Sequence, residues 1–124
     1  YIDVDNDGDL DIIVREVLGP VWVYRNNSRE GNAIVIELDD ERGNRSGIGS
    51  KVIVSYAGKQ QMREVQASGG FSSFDAPQAH FGLGATEQVT KLDVRWSTGE
   101  TTSVTGDFFA GKRYRITRRE RDEP

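Results

Sequence analysis

The sequence predicts an all-β protein, built as an antiparallel β-sandwich or a small barrel. Apolar residues alternate with polar ones along several short segments, which is the pattern of half-buried strands. Helical periodicity is nearly absent, and 14 glycines interrupt the alternating segments. Short strands at regular intervals, separated by glycine-containing turns, are typical of sandwiches and small barrels.

The first strands are predicted at residues 12–14 and 20–24, where they form a hairpin. We expect four of its aliphatic residues to pack against a neighbouring surface: Ile12, Val14, Val21 and Val23. An isolated hairpin is marginal in water, so this one needs a partner, either the domain's own sheet or another copy of the chain. A dimer through this hairpin, specific to this fragment, is the favoured expectation.

Four later segments carry the alternation of the main sheets. Residues 51–56 and 59–66 are predicted to form a second hairpin around a short glycine-containing turn. The arginine-rich stretch after residue 112 is interrupted by acids, so it predicts a solvated strand face and a polar tail rather than a phosphate-binding patch. The residues predicted to face inward are Ile34, Ile36, Leu38, Val52, Val54, Tyr56, Leu92, Val94, Trp96, Tyr114 and Ile116.

The first eleven residues contain five aspartates at alternate positions, which are Asp3, Asp5, Asp7, Asp9 and Asp11. Read from Asp3, the pattern D-x-D-x-D-G-x-x-D matches the first nine positions of a calcium loop. Alternate side chains then converge on a hard cation, the backbone carbonyl of Asp9 joins them, and Gly8 allows the sharp turn. The spacing therefore predicts a calcium site formed by the five aspartates.

Three alternatives to this calcium loop fit the sequence less well. An EF-hand needs a bidentate glutamate at the twelfth position, where this chain has Val14 at the end of a predicted strand. Magnesium accepts an all-protein cage poorly. Aspartate, asparagine and glycine also favour plain turns, but a turn alone does not explain five acids at this spacing.

The stretch "DVDNDGDLDIIV" resembles the aspartate-rich loop of FG-GAP or VCBS repeats, the blade motifs of integrin-type β-propellers. That resemblance implies that Asp3, Asp5, Asp7 and Asp11 are side-chain calcium ligands and that Asp9 is a main-chain ligand. It also implies that residues 1–31 are the last part of a propeller blade. The chain begins without a methionine or a signal peptide, so we expect it to be a fragment of a longer protein.

The body of the chain resembles another family. Three stretches carry the similarity to the ASPIC/UnbV domain: "NRSGIGSKV", "REVQASGGFSSFDAPQAHFGLG" and "VTKLDVRWSTGE". The resemblance covers residues 32–118 and leaves residues 119–124 as a polar tail. It implies an extracellular, non-catalytic, calcium-associated binding or adhesion protein that is secreted, on the cell surface or periplasmic.

Composition excludes several classes. The chain has no cysteine, hence no disulfide and no zinc–thiolate cluster. Its net charge is −4 with both signs spread widely, so the sequence lacks the basic patch that is typical of nucleic-acid binding. No stretch approaches the roughly 20 apolar residues that span a bilayer. The composition thus indicates no nucleic-acid partner and no membrane insertion, and the binding or adhesion role that the resemblance implies makes a protein or a glycan the expected partner.

The sequence favours structural over catalytic roles for its histidine and for its acidic turn. His80 is the one histidine, and we expect it to tether a neighbouring loop by a hydrogen bond; a hydrolase using His80 with Ser72 or Ser73 and Asp75 is the weaker alternative. Residues 39–41 could form a glycosidase pair, but they are expected in a solvated turn. A carbohydrate-binding module is the second function considered, since the chain offers Trp22, Tyr56, Phe71, Phe74 and Trp96.

Overall fold

The computed structural model describes residues 1–28 and 30–120, and these residues contain nine strands. The strands are β1 (Ile12–Arg15), β2 (Val21–Tyr24), β3 (Asn32–Asp40), β4 (Lys51–Tyr56), β5 (Lys59–Glu64), β6 (Gln78–Gly84), β7 (Gln88–Arg95), β8 (Thr101–Phe109) and β9 (Arg113–Arg118). Residues 121–124 of the predicted polar tail lie outside the described residues.

The strands form three sheets. β1 and β2 pair by themselves, β6, β3 and β9 form a three-stranded sheet, and β5, β4, β7 and β8 form a four-stranded sheet, each in the order given. One apolar cluster contains buried residues of both larger sheets, which therefore face each other. Within the described residues the two sheets share no strand, so the domain is a sandwich and not a closed barrel. The all-β sandwich prediction is confirmed.

The predicted alternation places the core side chains correctly. On β4, Val52 and Val54 are fully buried, and Tyr56 is nearly so. Leu92 of β7 and Trp96 just after it are also buried, the latter with its indole N–H donated to the Thr102 hydroxyl at 2.8 Å. Burying a large aliphatic side chain stabilises a fold by about 1.5–3 kcal/mol, so this shared cluster holds the two sheets together.

The turn between β4 and β5 consists of Ala57 and Gly58, with φ angles of 45° and 71°. Two successive residues with positive φ form a type I′ turn, whose twist matches that of a hairpin. The predicted second hairpin is therefore confirmed, and its second strand ends at Glu64 rather than at residue 66.

One strand pair departs from the antiparallel pattern. β3 and β9 run parallel, with Ile36 opposite Tyr114 and Leu38 opposite Ile116. Only strands joined by a tight turn are obliged to be antiparallel. β3 and β9 are separated by all the other strands of the sandwich, so the chain can return in either direction. Alternation along a strand carries no information about that direction.

The register of the N-terminal hairpin corrects the predicted apolar face. Ile12 lies opposite Tyr24, and Val14 lies opposite Trp22. Directly opposite residues point to the same side of a sheet, so Ile12 and Val14 share a face with the two aromatic residues. Val21 and Val23 lie on the other face, because side chains alternate along β2. All eight residues of β1 and β2 are exposed.

The predictions for residues 39–41 and for the arginines after residue 112 were partly wrong. Asp39 and Asp40 are the last residues of β3, not part of a turn. Asp40 is 1% exposed and Arg118, at the end of β9, is 6% exposed. The Arg118 guanidinium donates to both Asp40 carboxylate oxygens, at 2.9 and 2.5 Å. The parallel β3–β9 pairing brings these two residues together, which the local sequence does not reveal. Arg113 and Arg115 are exposed as predicted.

Within the described residues, no helix is long and apolar enough to cross a membrane.

Candidate metal centre at the N-terminal aspartate loop

Residues 3–11 form a loop that is closed at its base by the backbone. The N–H of Asp11 donates to the Ile2 carbonyl at 2.9 Å, and the N–H of Ile2 donates to the Asp11 carbonyl at 3.3 Å. Within the loop, Asn6 and Gly8 adopt positive φ angles of 58° and 96°. These left-handed residues let the chain reverse in a few residues, which brings distant aspartates of the loop together.

Backbone N–H groups fix the orientation of two carboxylates. Asp3 accepts from the N–H groups of Asp7 and Gly8, at 3.1 and 3.2 Å. Asp11 accepts from Val4 at 2.8 Å and from Asn26 at 2.7 Å. Both side chains are buried. Two of the predicted ligands are therefore held in place by the loop and by the residues that follow β2.

The structure brings together three of the five predicted ligands. Carboxylate oxygens of Asp3, Asp5 and Asp11 all lie within 4.8 Å of one another. Asp5 is more exposed than the other two, and its Oδ2 is 2.5 Å from Nη2 of Arg25. Three carboxylates at this spacing repel one another, and the Arg25 guanidinium offsets part of that repulsion. Such a set of hard oxygen donors suits a calcium ion.

Asp7 and Asp9 are not part of this group. The Asp7 carboxylate accepts from the N–H of Asp9 at 3.0 Å, an aspartate-turn contact that shapes the loop. Asp7 is exposed and Asp9 is half-buried. Their roles as a side-chain ligand and a main-chain ligand stay predictions.

Asp11 is held in its charged form. The N–H of Asn26, then that of Val4, and to a lesser extent the charge of Arg25 hold the pKa of Asp11 below its ordinary value, against the opposing effect of burial. Hydrogen bonds to a carboxylate favour the ionised state. The loop thus favours the ionised form of the Asp11 carboxylate.

The loop is attached to the sandwich through His80. Nε2 of His80, on β6, lies 2.8 Å from the carbonyl oxygen of Gly8. Val35 points to the same outer face of the three-stranded sheet and is only 4% exposed. Asp3 and Gly8 line a small cleft of about 200 Å³ together with Val35, so the loop covers this end of the sheet. The predicted tethering role of His80 is confirmed, and the loop that it holds is the aspartate loop.

The residues of the hydrolase alternative have other contacts. Ser73 donates its hydroxyl to the Gly69 carbonyl. His80 is directed to Gly8. In the part of the chain that the structure describes, no hydrogen bond joins Ser72, Ser73, Asp75 or His80 to one another.

Arg25 and Asn26, which the aspartate pattern does not predict, complete the loop from the far side. In the structure, Ile12 lies opposite Tyr24 in the β1–β2 register, so the next step places Arg25 opposite Asp11. With that register, the hairpin brings the Arg25 guanidinium and the Asn26 N–H to the loop. The hairpin boundaries alone leave the register open.

The aromatic residues fall into two groups. Tyr56 and Trp96 are buried, as their strand phase predicts. Phe71 and Phe74 are exposed on the loop before β6. Trp22 and Tyr24 are about half exposed and lie on the same face of β2, with the Trp22 indole N–H donated to Glu16 at 2.9 Å.

A comparison with protein-family models matches residues 40–123 to the family described as ASPIC and UnbV. The match covers about two thirds of the chain and includes all of β4 to β9. It begins after the aspartate loop and the β1–β2 hairpin, so the resemblance of residues 1–31 to FG-GAP or VCBS repeats stays a prediction. A comparison with curated proteins gave no match.

Proposed function

This chain belongs to the ASPIC and UnbV family, and from that premise we propose that it is a calcium-associated, non-catalytic binding or adhesion module of a larger protein. The parent protein would be secreted, on the cell surface or periplasmic, and residues 1–31 would be the end of an FG-GAP or VCBS repeat. Its partner would be a protein or a glycan.

One observation carries the calcium part of this proposal. The carboxylates of Asp3, Asp5 and Asp11 converge within 4.8 Å in a loop that His80 fastens to the sandwich. Concentrated negative charge in a fixed loop is destabilising by itself, and a bound cation removes that cost. Calcium would therefore stiffen the loop and, through Gly8 and His80, its attachment to β6.

Several residues of the loop would coordinate the ion together. Asp3 and Asp11 supply fixed oxygens, since backbone N–H groups already orient them. Asp5 would exchange its contact with Arg25 for the cation. Asp7 and the Asp9 carbonyl would complete the shell after a local adjustment. When bound, the calcium ion would bring two positive charges, which the oxygen ligands would neutralise.

We expect weak affinity, with a dissociation constant on the order of 10⁻⁴–10⁻³ M, the range of extracellular modules. Arg25 competes for Asp5, and no glutamate occupies the twelfth position of the loop. For a dissociation constant of about 1 mM, 10 mM calcium would stabilise the fold by about 1.4 kcal/mol.

Calorimetry and thermal unfolding test this proposal. Calcium should release or absorb heat and raise the melting temperature, and EDTA should reverse the shift. Asp5→Asn removes one charged ligand without removing a backbone contact of the loop, so it should abolish most of the calcium-dependent shift. Asp107→Asn, an exposed aspartate on β8, serves as the matched control and should respond as the unmodified chain does.

A melting temperature that calcium leaves unchanged, together with no binding heat, would refute the calcium proposal. An equal shift with Asp5→Asn would also refute it, because the effect would then come from another site or from ionic strength. Magnesium at the same concentration controls for ionic strength.

The second candidate is a carbohydrate-binding module. Its supporting observation is the exposed pair Trp22 and Tyr24, which lie on one face of the hairpin with Ile12 and Val14. Planar aromatic side chains with a polar edge offer a stacking surface for sugar rings. A glycan-array signal that Trp22→Ala removes and Asp5→Asn preserves would favour this function and separate it from calcium binding.

The non-catalytic part of the proposal is supported by the contacts of His80. Its Nε2 is directed to a backbone carbonyl of the aspartate loop, which gives the side chain a structural role. A base for hydrolysis needs a nucleophile within hydrogen-bonding reach.

A further inference from the structure

An open cleft of about 390 Å³ lies on the outer face of the three-stranded sheet. Its polar walls come from Glu37 and Asp39 of β3, Arg113 and Arg115 of β9, and Arg45 in the turn after β3. These side chains point away from the core, since Leu38 and Ile116 on the same strands face inward. Ala76 and Pro77 add a small apolar side.

Glu37 holds two guanidinium groups at once. Nη1 of Arg113 donates to Oε1 at 3.1 Å, and Nη2 of Arg115 donates to Oε2 at 3.0 Å. The two arginines are at alternate positions of β9, about 7 Å apart along the strand. Each guanidinium carries five N–H donors in a rigid plane, and each of these contacts uses one nitrogen. Glu37 therefore orients a pair of donors that converge from two residues.

The charges of the cleft are arranged in layers. Arg45 forms the third ion pair, with its Nε 3.1 Å from Oδ1 of Asp39. The side chains of Glu37 and Asp39 are 23% and 22% exposed, whereas those of Arg113, Arg115 and Arg45 are 42%, 65% and 79% exposed. The carboxylates thus lie deeper than the cations. A ligand approaching from solvent meets three positive groups. These outnumber the two carboxylates by one, so the cleft is positive in a chain whose net charge is −4.

We propose that this cleft binds a small ligand that carries a tetrahedral oxyanion, either a sulfate or a phosphate group. Guanidinium planes pair well with such oxygens, and a tetrahedral anion offers several oxygens to donors from different residues. Arg113 and Arg115 would hold the anion from the sheet and Arg45 from the opposite wall. The Ala76–Pro77 side would contact the carbon part of the ligand. The proposal is independent of calcium binding.

An NMR titration tests this inference. The probes are sodium sulfate and sodium phosphate, added at constant ionic strength to protein that a chelating resin has freed of divalent ions. We expect saturable shifts of the Nε–Hε signals of Arg113 and Arg115. The double variant R113Q/R115Q should weaken binding by at least about tenfold, because it removes two charge-assisted contacts.

Two single variants, one in the cleft and one on the other sheet, complete the test. Arg45→Gln changes an exposed turn residue that is not needed for strand pairing, and it should weaken binding about threefold even if the double variant unfolds. Arg95→Gln removes the same charge from the outer face of β7, on the other sheet, and should leave the affinity unchanged. Saturation by only one of the two anions would support the site and identify its ligand as sulfated or phosphorylated. Shifts that do not saturate, or that Arg95→Gln weakens as much as Arg45→Gln does, would overturn the proposal.

Discussion

Replacing Arg118 with methionine would remove the cation that faces Asp40 inside the sandwich. The Arg118 guanidinium also donates to the Thr98 hydroxyl at 2.7 Å and to Glu100 at 3.2 Å, and it lies 4.6 Å from the centre of the Trp96 ring. Methionine retains the length and most of the apolar contact of the arginine stem. The change therefore acts mainly on charge and hydrogen bonding.

The expected loss of stability is large because Asp40 is buried. Removing one partner of a buried ion pair leaves an uncompensated charge, which costs about 3–5 kcal/mol. For a domain of this size, that loss would lower the melting temperature by roughly 10–20 °C. Arg115→Met is the matched control. It lies on the same strand but on the exposed side, so its loss should stay below about 1 kcal/mol.

The effect should depend on pH in a defined direction. The hydrogen bond from Arg118 holds the pKa of Asp40 below its ordinary value of 3.8. The pair therefore stabilises the unmodified chain above that value, and the contribution is lost as pH falls through the lowered pKa. In the variant, burial favours the protonated acid. The difference in unfolding free energy between the two chains should narrow as pH falls from about 7 to about 3.

Urea unfolding at several pH values measures these differences. A loss below about 1 kcal/mol at neutral pH would show that the pair is not buried as described, since only exposed pairs are worth so little. A difference that stays constant down to pH 3 would refute the role of the Asp40 charge. Combining Arg118→Met with Asp40→Leu should recover most of the stability, because an apolar pair needs no compensation.

Two further outcomes are expected. His80→Ala should lower the free energy of unfolding by about 1–3 kcal/mol in a urea titration, since it leaves the Gly8 carbonyl without its partner; a change below about 0.5 kcal/mol would show that water replaces the imidazole. The exposed β1–β2 hairpin should pair with a second copy of the chain at high concentration, and Val23→Lys should prevent this. Light scattering that finds a monomer at all concentrations would contradict the dimer.

The strands themselves could be predicted from the sequence because their signal is local. Val52 and Val54 are two residues apart, so the alternation that buries both is visible within the six residues of β4. The hairpin turn at Gly58 is equally local. The aspartate loop follows the same rule: the spacing of its aspartates spans nine residues, and the fold had only to close the loop at Ile2 and Asp11.

The register of the N-terminal hairpin is neither a purely local signal nor a contact between residues distant in sequence. Both faces of β1 and β2 are rich in apolar residues, so the sequence offers no polar face that would fix the pairing. The predicted grouping of Ile12 and Val14 with Val21 and Val23 was wrong for that reason. The same register decides that Arg25 reaches Asp5 and that Trp22 and Tyr24 share a face with Ile12 and Val14.

By itself, the sequence determined the all-β class, the inward residues of the main strands and the acidic loop, since each depends on neighbours within about ten positions. Only the tertiary structure decided that Asp40 meets Arg118, that Arg113 and Arg115 converge on Glu37, and that His80 holds the loop at Gly8. These partners are more than 70 residues apart in sequence. The contacts of Arg113, Arg115 and Arg118 exist because β9 pairs in parallel with β3, and the His80 contact exists because the aspartate loop lies against the outer face of this sheet; both arrangements depend on the packing of the whole fold.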